Sequence, residues 1–175
     1  MVSASPPPPE QDPEPDPEAV ARKILLDQLT GQARSRKELA DKLAGRGVPD
    51  EIATRLLDRF TEVGLVDDAA FARAWVESRQ RSRGLARRAL AAELRRKGID
   101  EDLARDALDE VSPDAEFDTA RALVRGRLRT VRGLPAEKAT RRLVGMLARK
   151  GYPAGTAFRV VREELSLDWA DADLD

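Results

Sequence analysis

The chain has 175 residues, 41% of them hydrophobic, 36% charged and only 4% aromatic, with neither cysteine nor histidine. Those two absences exclude thiol nucleophiles, thiolate metal sites, histidine-dependent triads and imidazole-ligated zinc. With no Gly-rich phosphate loop or G-x-G-x-x-G stretch beside the carboxylates, neither enzymatic activity nor a cofactor is expected.

The net charge of -1 hides an asymmetry, since Met1 to Glu18 and Glu163 to Asp175 carry five and six acids respectively and no base. Residues 19–162 therefore hold all 31 bases against 21 of the 32 acids. A basic body of this kind suits a polyanionic partner.

In residues 1–17, MVSASPPPPEQDPEPDP, proline and mutually repelling carboxylates leave nothing apolar to bury. They predict a disordered or polyproline-like tail. No signal-peptide pattern is present, and no apolar stretch approaches the roughly 18 residues of a membrane span. A cytoplasmic protein without a membrane association is expected, in agreement with the lack of cysteine.

From residue 18 onward a pattern recurs three times. Opening helices are predicted at Glu18–Leu29, at Asp68–Gln80 with Phe71 and Trp75 one turn apart, and at Pro113–Arg129 with Phe117, Val124 and Leu128 in one stripe. The segments RKELADKLAGRGV (36–48), RRALAAELRRKGI (87–99) and TRRLVGMLARKGY (140–152) then superimpose without a gap, at offsets of 51 and 53 residues. Leu39, Leu90 and Leu143 share one column, Leu43, Leu94 and Leu147 the next, and Gly47, Gly98 and Gly151 a third. Each leucine pair lies on one helical face, and each glycine sits where a left-handed cap ends a helix, with Val48, Ile99 or Tyr152 packing the turn.

A further helix follows each glycine. Ile52, Leu56, Leu57 and Phe60 keep helical spacing in the first unit, and Leu103, Ala107, Leu108 and Val111 occupy the same columns in the second. Thr156 and Glu164 fall in two of these columns in the third unit, so its apolar stripe is expected to rotate to Ala157, Phe158, Val161 and Leu165. Ser35 with Glu38 forms a predicted capping box, and Ser112 precedes a proline at the first helical position. The expected architecture is all-α: three tandem three-helix, helix-turn-helix-like repeats at 18–66, 67–112 and 113–166. Such units bury little alone and should lean on each other in an elongated, curved array. An acidic end, 167–175, is expected to fray, with the aromatic Trp169 able to dock back.

A helix-turn-helix outline raises the question of base-specific DNA reading. The relevant helix starts carry Asp50 and Glu51, then Asp100, Glu101 and Asp102, then Pro153, Ala154 and Gly155. Acids cap helices well but would face phosphates in a major groove, and none of these starts offers Arg, Asn or Gln for bidentate base contacts. The bases lie elsewhere. Candidates for partner or DNA binding are Arg34, Arg36 and Lys37; Arg79, Arg81, Arg83, Arg87, Arg88, Arg95, Arg96 and Lys97; and Arg141, Arg142, Arg149 and Lys150, approached by Arg125, Arg127, Arg129 and Arg132. Solvation of helix surfaces accounts for any one group, whereas recurrence at corresponding places suits a polymeric partner. In GLVDDAAFARAWVESR (64–79), Asp67 or Asp68 is expected to cap a helix and Phe71 with Trp75 to enter the core, the alternative being a contact role for an exposed Trp75 edge or for the paired carboxylates.

The ordered set RSRKELADKLAGRG (34–47), GLVDDAAFARAWVESR (64–79), G-x-x-x-R-x-L (84–90), ELRRKGI (93–99) and RRLVGMLARKGY (141–152) resembles the RecX family of recombination regulators over about residues 19–165. The resemblance implies a three-module, monomeric helical protein that lodges in the groove of the RecA–DNA filament and blocks filament growth and strand exchange. It also implies weak, nonspecific binding of single- or double-stranded DNA through phosphates. Two other readings fit the residues themselves: a nonspecific DNA-binding helical protein, and a helical scaffold for another protein.

Overall fold

The structure, a computed structural model, describes residues 16–172, with side chains described through Asp168. Among the described residues there are nine α-helices and no strand. They are α1 (Pro17–Gly31), α2 (Arg36–Ala44), α3 (Asp50–Glu62), α4 (Asp68–Arg83), α5 (Arg87–Arg96), α6 (Glu101–Asp109), α7 (Pro113–Arg125), α8 (Ala136–Arg149) and α9 (Ala154–Ala172), with a single 3-10 turn at Leu128–Thr130 before α8. They pack in consecutive threes, so the fold is all-α with three three-helix domains in tandem. The proline-rich segment and the Trp169 side chain lie outside what is described.

The glycine column forms the same motif three times. Val48, Ile99 and Tyr152 each donate their backbone N–H to the carbonyl of Leu43, Leu94 or Leu147 at 3.1 Å. Gly47, Gly98 and Gly151 each donate at 3.0 Å to the carbonyl three residues back. This pair of bonds satisfies carbonyls that a helix end leaves orphaned, and it needs a left-handed residue between them. The starts are equally local. Ser35 and Glu38 form the reciprocal capping box, Asp67 caps α4, Asp100 caps α6 and Ser112 caps α7 ahead of Pro113.

Each unit has its own core. Leu25, Leu39, Leu43, Leu56, Leu57 and Phe60 fill the first; Phe71, Val76, Leu90, Leu94, Ala107 and Leu108 the second; Val124, Leu143, Leu147, Val160, Val161 and Leu165 the third. The column leucines are essentially inaccessible to solvent, so truncating one to alanine costs about 2–5 kcal/mol.

Three expectations need correction. The third unit's stripe broadens rather than rotates: Ala157, Val161 and Leu165 are buried as expected, but Val160 and Glu164 also keep the columns of Ala107 and Val111, and Phe158 is 49% exposed. Glu164 stays in its core column because Arg125 meets it with two hydrogen bonds, at 2.6 and 3.0 Å, across from α7. The opening helix of the third unit ends at Arg125, and Leu128 lies in the 3-10 turn. Finally, α9 continues to Ala172, so the stretch beyond Leu165 extends a helix.

Inter-unit joints and the candidate partner-binding surface

The middle helices α2, α5 and α8 meet end to end, the N-terminus of one on the C-terminal turn of the next. At the first joint the Ser35 hydroxyl donates to the Lys97 carbonyl at 2.7 Å. At the second, the Ala86 amide donates to the Lys150 carbonyl at 2.9 Å. Ser35 with Ala86, and Lys97 with Lys150, are equivalent positions of the repeat, so one joint is built twice. A carboxylate from the following unit also caps each helix start: Asp68 accepts from the Arg36 amide at 2.8 Å, and Glu116 from the Arg87 amide at 3.3 Å.

The glycine turns are part of these joints. A Cβ on Gly98 would lie 2.4 Å from Lys37, and one on Gly151 would lie 2.6 Å from the Ala89 backbone. Both residues also hold positive φ, +73° and +91°. Glycine is therefore required twice over, for conformation and for close approach.

Around the first joint lies a charged cluster. The Lys97 ammonium donates to Glu38 at 2.6 Å and sits 4.6 Å from the centre of the Trp75 ring, with the Arg79 guanidinium at 4.1 Å. The half-buried Trp75 stacks on Phe71 and donates its indole N–H to Glu93 at 2.9 Å. It is thus neither a full core residue nor a free contact edge. Burial raises the Glu38 carboxyl, but hydrogen bonds from Lys97 and the Ser35 amide, with the charges of Lys97 and Arg34, outweigh it and hold the group below its ordinary value of 4.5. At the second joint the Tyr152 hydroxyl donates to the Gly84 carbonyl at 3.0 Å. Burial, aided by the charge of Glu116, pushes its pKa up to about 12.

The structure sorts the fifteen candidate bases into two groups. Ten have internal partners. Arg36 pairs with Asp58 and Arg87 with Asp109, the same contact in two units, each at 2.6 Å. Arg34 faces Glu38, Lys37 pairs with Asp41, Arg79 and Arg83 share Glu93, Arg81 pairs with Glu77, Lys97 with Glu38 and Arg141 with Glu137. Lys150 reaches the Arg83 carbonyl. The other five, Arg88, Arg95 and Arg96 on α5 and Arg142 and Arg149 on α8, are exposed, and among the described residues no side chain pairs with them. Arg88 and Arg95 share a face of α5, as Arg142 and Arg149 do of α8, each pair being seven residues apart.

Arg46, Arg59, Arg73 and Arg162 are also exposed and lie outside the local clusters of charge that the sequence makes visible. Arg46 was findable, since it occupies the repeat column of Lys97 and Lys150. The acids at the starts of α3 and α6 are exposed, and Asp100 spends its carboxylate on the Asp102 amide, a capping role that base reading would not share.

Three family models match in tandem: RecX, first three-helix domain, over residues 21–60; RecX, second three-helix domain, over 67–108; and RecX, third three-helix domain, over 114–161. A regulatory protein RecX of Thermobifida fusca (strain YX) is 57% identical over 155 residues, 89% of this chain and 84% of the relative. Its counterpart from Streptomyces lividans is 53% identical over 153 residues, 87% of this chain and 81% of the relative. A crystal structure of RecX from Lactobacillus salivarius aligns with a TM-score of 0.78 at 19% identity, covering 85% of this chain and 97% of that one, a likeness of fold. With the three domain models in their order and these identities over most of its length, the chain belongs to the RecX family of regulatory proteins.

Proposed function

We propose that this protein acts as a monomer in the cytoplasm, binding the filament that RecA forms on DNA and restraining filament growth and strand exchange. Direct contact with DNA is weak, nonspecific and made through phosphates. Membership of a family whose relatives are named regulatory protein RecX supports this choice of partner. The observation that carries the contact surface is the set of five arginines on α5 and α8, the middle helices of adjoining units, with which no described side chain pairs. A charge already matched internally gains little from an external anion, whereas these five stand ready for one. Each exposed contact is worth about 1 kcal/mol or less, but contacts spread over a repeating lattice combine.

The test replaces Arg88, Arg95, Arg96, Arg142 and Arg149 by glutamine and measures binding to RecA alone, DNA alone and the assembled filament at two salt concentrations. Filament binding is expected to weaken at least about ten-fold and to lose part of its salt dependence, with strand-exchange inhibition falling in parallel. Undiminished inhibition by a folded variant would rule out this surface as the contact. Equal affinity of the unsubstituted protein for naked DNA and filament would favour a general DNA-binding role instead.

A further inference from the structure

The two joints share a geometry but not a composition. At the second, Ala86 is fully buried inside the third unit's core, Leu123 presses on Gly84, and the buried Tyr152 hydroxyl is bonded across. At the first, the cores on either side share no residue. Three polar contacts converge there on the start of α2: Ser35 to the Lys97 carbonyl, Glu38 to the Lys97 ammonium and the Arg36 amide to Asp68. Lys37 adds its methylenes against Gly98. In the connecting segment Val63 and Leu65 are 64% and 51% exposed on either side of Gly64, while Val66 is buried in the first unit's own core.

We propose that α4–α9 move as one rigid body while α1–α3 swing against them about the N-terminus of α2, with the Lys97–Glu38 pair as the latch. Apolar burial resists salt, whereas the Lys97–Glu38 pair, its side chains 28% and 21% exposed, is partly screened by it. Release of Lys97 from Glu38 leaves one neutral side-chain bond and one backbone–carboxylate bond at the pivot. These allow rotation about the helix end without unfolding either unit. The angle between the first unit and the other two is thereby adjustable, while the second and third keep theirs.

Because the chain has no cysteine, labels can be placed freely. Thr54→Cys with Asp106→Cys spans the first joint, and Asp106→Cys with Ala148→Cys the second; all three sites are exposed. Single-molecule energy transfer is read at low salt and at about 1 M salt, where the Debye length falls to about 3 Å. It is repeated with Glu38→Gln, which retains a capping-box side chain, and with Lys97→Gln, which breaks the pair from the other side. The expected result is a shifted and broadened transfer distribution across the first joint, at high salt and in both variants, with the second joint unchanged. The proposal is overturned if the first joint responds to neither variant, or if the second joint responds equally while circular dichroism shows folded helices.

Discussion

Ser35 and Lys97 are 62 positions apart, yet the Ser35 hydroxyl donates to the Lys97 carbonyl at 2.7 Å while accepting from the Glu38 amide at 3.2 Å. One fully buried side chain therefore caps the start of α2 and satisfies the end of α5. Ser35→Ala removes both bonds and leaves a carbonyl without its donor, so urea melts should show a loss of about 1–3 kcal/mol. A loss no larger than an exposed cap gives would mean that the joint contributes nothing.

The glycine turns separate conformation from contact. Gly47 has φ +73° but open space for 4 Å around the place a Cβ would occupy, whereas Gly151 has both positive φ and the Ala89 backbone in the way. Gly47→Ala should cost about 1–2 kcal/mol for the left-handed backbone, and Gly151→Ala clearly more. Equal thermal shifts would show that the second joint yields freely.

Glu164 is 3% exposed beside Arg125, whose own side chain is 60% exposed and remains hydrated without it. Glu164→Ala should destabilise by about 2–4 kcal/mol through a cavity and a lost pair. Glu164→Leu matches the apolar residues of the equivalent columns, Phe60 and Val111, and should lie within about 1.5 kcal/mol of the native protein. Denaturant midpoints of the two variants decide it.

Acid should open the first joint selectively. The folded value of Glu38 lies below its ordinary 4.5, so its stabilisation is present in full above that value and is lost as pH falls through the folded one. The stability difference between native protein and Glu38→Gln should be constant near neutrality and vanish below that window. A difference that persists under strong acid would assign the effect to packing.

Replacing Arg87 and Arg88 one at a time separates structure from contact. Arg87 holds Asp109 and the Leu108 carbonyl, at 2.6 and 2.7 Å, so Arg87→Ala should lower stability by about 1–2 kcal/mol. Arg88→Ala should leave stability within about 0.5 kcal/mol and act on filament binding. Paired melts and binding curves report the two effects.

Much of this was legible beforehand because it is local. Helix ends are set by bonds spanning five or six residues, so the Leu–Leu–Gly columns and the Ser35–Glu38 box announce their own geometry. Charge was legible only as an inventory. Arg87 and Arg88 read alike in sequence, but one turns to Asp109 and the other to solvent. Asp68 reads as a cap for its own helix and instead caps α2 of the preceding unit.

The sequence by itself determined the helical class, the threefold repeat, the glycine turns and the family, because periodicity, capping and C-terminal turns act over one or two helical turns. Only the tertiary structure decided which bases are already paired, that Glu164 belongs in the core, and that the two joints differ in kind. Those outcomes depend on which side chain from another unit arrives within about 3 Å, and no spacing along the chain encodes that arrival.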